Sequence, residues 1–132
     1  VSNYSYDKSG YLSKLTWGDD GNLQCTWNNG NLVNEHRTGS DPMDYNYEYT
    51  NYPAKQNIDI FAFVYGYCHV DDPEYLGVGG LLGKKSAHLI KSSTSQSEAH
   101  VTFSYELDDN GNPTKVTMAS ESETTTYKIL YK

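Results

Sequence analysis

The chain has 132 residues, 36% of them hydrophobic, with a formal net charge of −7 and ten basic side chains that gather into no stripe. That balance excludes the electrostatic footprint of a nucleic-acid binder and sets the chain against an anionic membrane surface. The length suits one domain with its own core. Cys25 and Cys68, the two cysteines, are too few for a disulfide framework and wrongly spaced for zinc, and whether they pair stays open.

Thirteen tyrosines set the chain apart. A tyrosine ring covers a core while its hydroxyl takes a polar partner, so the composition suits a sheet with an aromatic face. The first segment, YSYDKSGYLSKLTW at 4–17, is an aromatic strand, an acidic turn with glycine, and a second strand. Leu23, Cys25 and Trp27 mark an apolar strand face. CTWNNGNLVNEH at 25–36 keeps the strand–turn–strand rhythm with a shorter turn.

In MDYNYEYT, residues 43–50, Tyr45, Tyr47 and Tyr49 fall on one face and Asn46 and Glu48 on the other, the pattern of a half-buried strand. The rhythm then breaks. NIDIFAFVYGY at 57–67 puts Ile58, Phe61 and Val64 or Tyr65 on one helical stripe with Asn57 as N-cap, so a short helix is expected at about 57–69, with a buried strand as the other reading. Residues 52–90 are expected to be a helical and loop insertion packed on the sheet. Alternation returns at Val101, Phe103, Tyr105 and Leu107, in a hairpin, FSYELDDNGNPTKVTM, that repeats the layout of 4–17, and again at Tyr127, Ile129 and Tyr131.

The stretch YLGVGGLLGKKSAH at 75–88 holds four glycines and two lysines and invites comparison with a phosphate loop. Anchored on Gly83 and Lys84, that motif needs glycine at Val78 and a hydroxyl at Lys85. Dinucleotide spacing fails at Leu82. The glycines read instead as tight turns and close packing against rings. Cys68 beside His69 is the best candidate for a thiol–imidazole pair, but neighbours on a strand point oppositely, and Cys68 reads better as a small apolar group. Asp108, Asn110 and Asn112 mimic the start of a calcium loop until Pro113 stands where glycine is required; turn chemistry accounts for these acids. No catalytic residue, cofactor or metal ligand is assigned.

The residues singled out for function are Tyr11, Trp17, Trp27, Tyr45, Tyr47 and Tyr49. Rings on a concave sheet face would offer flat stacking surfaces and hydroxyls together, to a glycan, a peptide or a lipid-like small molecule. The competing reading is that the same rings pack on their neighbours as core.

The segments YSYDKSGYLSKLTW, TWNNGNLVNEH, YEYTNYPAKQNIDIFAF, YLGVGGLLGKKSAHL and VTFSYELDDNGNPTKVTM, followed by YKILY, together resemble a Bacteroidetes family of secreted lipoproteins with a porin-like fold. The hairpins singly also resemble the turns of YD-repeat proteins. The family resemblance implies a curved, barrel-like or half-barrel antiparallel sheet in an exported protein of the periplasm or outer-membrane surface. It also implies a lipid anchor, an export signal and further hairpins upstream of these residues, and supplies no catalytic residues. The expectation is one mainly β domain over 1–132, a meander of repeated hairpins, acting as a noncatalytic ligand-binding module. The alternative is a structural domain that pairs through an exposed edge strand, for example with a second copy.

Overall fold

Alternation and turn chemistry produce one antiparallel sheet of nine strands in the computed structural model, which describes residues 2–17, 21–55, 83–96 and 99–131. In chain order these are β1 (Ser2–Tyr6), β2 (Leu12–Trp17), β3 (Gly21–Asn28), β4 (Asn31–Gly39), β5 (Met43–Pro53), β6 (His88–Ser95), β7 (Val101–Leu107), β8 (Pro113–Ala119) and β9 (Thr124–Lys128). Their order in the sheet is their order in the sequence, so the expected meander is the observed fold. It is an open sheet, not a closed barrel: among the described residues β1 and β9 each have a single strand neighbour.

The helix expected at 57–69 lies outside the described residues, among which there is no helix. Both ends of the expected insertion belong to the sheet, because Tyr52 and Pro53 finish β5 and His88 to Ile90 open β6.

Side-chain alternation sorts the sheet into two faces. Leu15 opposes Leu23, Glu35 opposes Tyr45, Tyr47 opposes Ser93, and Phe103 opposes Met118 on the buried face. Leu12, Leu15, Leu23, Leu32, Ile90, Phe103 and Val116 are its apolar core. The opposite face carries rows of polar pairs, among them Lys14 with Gln24, His36 with Asp44, Asn34 with Asn46, Ser104 with Thr117 and Lys115 with Lys128.

Two irregularities keep apolar residues in phase. A register shift after Thr26 pairs Trp27 with Leu32, which skips Val33 and lets Leu32 and Glu35 share the buried face. A shift between Glu48 and Tyr49 skips Lys91 and puts Ile90 and Ser93 together in the same way.

The turns follow local chemistry. Asn29 and Gly30, at φ 52° and 77°, form the two-residue hairpin loop that Asn-Gly favours. The β1–β2 and β7–β8 turns are copies of each other. Asp7 Oδ1 accepts from the Ser9 and Tyr11 amides, and Asp108 Oδ1 accepts from the Asn110 and Asn112 amides. Each turn closes through a backbone bond, Asp7 N–H to Tyr11 O and Asp108 N–H to Asn112 O, with Gly10 and Gly111 at positive φ. Asp108 is thereby committed to its own turn.

Residues 83–88 form a crosspiece over the end of the sheet where these turns lie. Gly83 bridges to Tyr11, the Lys84 amide donates to Gly10 O, and the Ala87 amide donates to Gly30 O. Lys85 Nζ and the Ala54 carbonyl meet, and the Ala54 amide donates to Ala87 O. Lys55 Nζ continues the line to Asn110 O at 2.8 Å. The last part of the glycine-rich stretch is thus a backbone tie between hairpins.

Candidate functional site

The polar centre of the buried face is Glu35 on β4, which is 0% exposed. It stands in a row across four strands: Cys25 opposes Glu35, Glu35 opposes Tyr45, and Tyr45 opposes Ser95. A buried carboxyl persists only where donors reach it. Here the Tyr47 hydroxyl donates to Glu35 Oε1 at 2.7 Å. The rings of Tyr45 and Tyr47 lie parallel within 4°, with centroids 6.4 Å apart. Two positions along β4 on the same face, Arg37 pairs with Asp41 at 2.6 Å. Cys25 is a buried free thiol.

Four other aromatic side chains are staples across the sheet. Tyr49 donates to Leu32 O at 2.6 Å, Tyr105 to Ile90 O at 2.6 Å, Tyr131 to Pro113 O at 2.7 Å, and the Trp27 indole to Leu12 O at 2.8 Å. Each ring covers apolar surface and its polar tip satisfies a carbonyl elsewhere in the sheet. Ser86 of the crosspiece joins this network, accepting from the Leu32 amide at 3.0 Å and donating to the Tyr49 hydroxyl at 3.0 Å.

The residues singled out from the sequence therefore fall into two places. Tyr45, Tyr47 and Tyr49 share the buried face, with Tyr45 and Tyr47 only 3% and 4% exposed. Tyr11 and Trp27 form a half-buried pair beside the crosspiece, centroids 4.5 Å apart and ring planes tilted by 32°, with Lys84 Nζ 5.4 Å from the centre of the Tyr11 ring. The backbone of Trp17 closes β2 opposite Ser2, and its side chain lies outside the described atoms. Cys68 and His69 also lie outside the described residues. Among those described, no three His, Cys, Asp or Glu side chains come together as a metal site.

Sequence reasoning missed Glu35. Plain alternation through LVNEH groups Val33 with Glu35 and sets both against Leu32, and only the register shift at Trp27 returns Glu35 to the face of Leu32. The signal lay in the excess residue of a bulge, which has no sequence mark of its own here.

No protein-family model and no curated protein matches the chain. Solved structures do. A porin-like protein from Bacteroides uniformis ATCC 8492 superposes with a TM-score of 0.69 at 16% identity, covering 96% of this chain and 56% of that one. A porin-like protein from Bacteroides vulgatus ATCC 8482 gives a TM-score of 0.62 at 16% identity, covering 95% and 62%. The chain has the antiparallel β fold of these porin-like proteins, and it spans somewhat over half of their length.

Proposed function

We propose that this chain is a noncatalytic structural module of an exported bacterial envelope protein, joined to its partner through a sheet edge. The observation that carries the reading is where exposed apolar surface gathers. Of the described large hydrophobic residues that are exposed, Tyr6 lies on β1, Tyr127 on β9, and Leu130 and Tyr131 directly after β9; only Tyr52 lies elsewhere. An edge strand with unpaired backbone groups is a template for another strand.

Burial of Tyr45 and Tyr47 and the use of tyrosine and tryptophan tips on carbonyls support the same reading, since the aromatic surplus then serves the sheet itself. The polar outer face supports a position in water: a lysine such as Lys14 or Lys128 on a lipid-facing strand would cost about 2–4 kcal/mol at mid-bilayer. The likeness to porin-like proteins supports export to the periplasm or outer-membrane surface. Sedimentation velocity across a hundredfold range of concentration tests the reading. Association is expected, and a monomer throughout would overturn it.

A second reading, recognition of a glycan, peptide or lipid-like ligand, is favoured by the half-buried, tilted Tyr11–Trp27 pair with Lys84 beside it. Saturable binding on a glycan and lipid array, lost in Tyr11→Leu, would support it; a blank array would count against it.

A further inference from the structure

We infer that β9 is the pairing edge and that its partner is β9 of a second copy, antiparallel about a two-fold axis that passes between the two copies of Thr126. The inference rests on the assembly reading above and names its surface and symmetry.

The two edges of the sheet differ. The β1–β2 ladder carries a register shift between Ser5 and Tyr6, a device that bends an edge away from regular pairing. The β8–β9 ladder runs without one from Ala119 opposite Thr124 to Lys115 opposite Lys128. Its strand, TTTYK, has four residues, Thr124 to Tyr127, that favour extended backbone and contains no proline.

The ladder also fixes which backbone groups face outward. The Ile129 amide donates to Thr114 O, so these two residues form a hydrogen-bonded pair. Counting back in steps of two, Tyr127 with Val116 and Thr125 with Met118 are the hydrogen-bonded pairs inside the sheet. The alternate residues Thr124, Thr126 and Lys128 turn N–H and C=O to the free edge. The Thr117 and Thr126 hydroxyls lie 3.5 Å apart, as side chains do in a pair without mutual backbone bonds.

Charge selects the occupant and the direction. Glu121 and Glu123 precede β9, and Lys128 ends it. Parallel self-pairing would set like charges side by side, whereas antiparallel pairing brings each Lys128 to the acidic end of the other copy. Centred on Thr126, the register opposes Thr124 with Lys128 of the second copy and Tyr127 with Thr125. A two-fold axis normal to the sheet carries buried face onto buried face, so Tyr127, 36% exposed, gains cover.

The test is sedimentation equilibrium of the whole 132-residue chain and three variants. Thr126→Pro removes an outward N–H and no β8–β9 ladder bond, so the variant is expected to keep the thermal midpoint of the parent at dilutions where both are monomers, while its dimerisation weakens at least tenfold. Lys128→Glu is expected to weaken the dimer at low salt, and Glu121→Lys/Glu123→Lys/Lys128→Glu, which exchanges the signs, to restore it. Dimers that Thr126→Pro leaves intact would overturn the β9 assignment while the assembly reading stands. A ladder of higher oligomers would mean head-to-tail pairing of β9 with β1 and would overturn the two-fold arrangement. A monomer in every case would overturn both.

Discussion

The Tyr47 hydroxyl reaches from β5 to the Glu35 carboxyl on β4 at 2.7 Å, where both residues are closed to solvent. Removing that donor while keeping the ring leaves a buried acceptor with less compensation, at a cost of about 1–3 kcal/mol. Tyr47→Phe is therefore expected to lower the urea midpoint by a corresponding amount, and Glu35→Gln, which keeps an acceptor oxygen for Tyr47, by less. Midpoints equal to the parent in Tyr47→Phe would show that the hydroxyl contributes nothing to the core.

The apolar core should respond by position. Leu23 is 1% exposed and Leu130 87%. Leu23→Ala should lose about 2–5 kcal/mol through transfer and cavity terms. Leu130→Ala in the monomer should stay within about 0.5 kcal/mol. Thermal melts of dilute protein separate the two.

The crosspiece depends on Gly83, whose φ is +72° and where a Cβ would lie 2.6 Å from the Gly10 carbonyl oxygen. Gly83→Ala should cost at least about 2 kcal/mol, because a left-handed alanine costs about 1–2 kcal/mol before any clash is added. Gly10→Asn meets only the flexible Lys84 side chain, at 3.5 Å, and asparagine tolerates positive φ. Chemical denaturation should rank the alanine variant well below the asparagine one.

The paired turns invite a matched comparison. Asp7→Ala and Asp108→Ala each remove a carboxylate that accepts two backbone amides. Each should destabilise the chain by about 1–2 kcal/mol. The two turns belong to separate hairpins, so the double variant should show the sum within about 0.5 kcal/mol. Unequal single effects would mean that the likeness of the turns is geometric without being energetic.

Ser86→Ala should act at a distance along the chain. It removes the acceptor for the Leu32 amide and a donor to Tyr49. Faster hydrogen exchange at Leu32, with Val116 unchanged, is the expected signature. Uniform acceleration across the sheet would instead make Ser86 part of the global core.

What the sequence revealed tracks how local the determinant is. Tyr45, Tyr47 and Tyr49 alternate with Asn46 and Glu48, and β5 is there; Asn29-Gly30 announces its hairpin, and Asp7 and Asp108 announce theirs. Strand β6 was missed because HLIKSSTS carries two adjacent apolar residues and then hydroxyls, and its burial pattern makes sense only with Lys91 bulged against β5. Glu35 was missed for the same reason. Whether the tyrosines form a surface or a core depends on what stands opposite them, which alternation does not encode. The burial of Tyr45 and Tyr47 comes from contacts across the sheet, and the crosspiece bonds at Gly10 and Gly30 join residues more distant still.

The crosspiece also bears on the order in which the chain folds. Each hairpin joins sequence neighbours and can form in about 1–10 μs. Gly83 to His88 must find Gly10, Gly30 and Ala54, and those acceptors are in place only when the β1–β2 and β3–β4 hairpins and the end of β5 already stand. Its docking carries the loop-closure cost of a long intervening chain. A stopped-flow refolding trace is thus expected to end on a phase sensitive to Gly83→Ala and Ser86→Ala and insensitive to Asp108→Ala, with the last residues to arrive holding together those that arrived first.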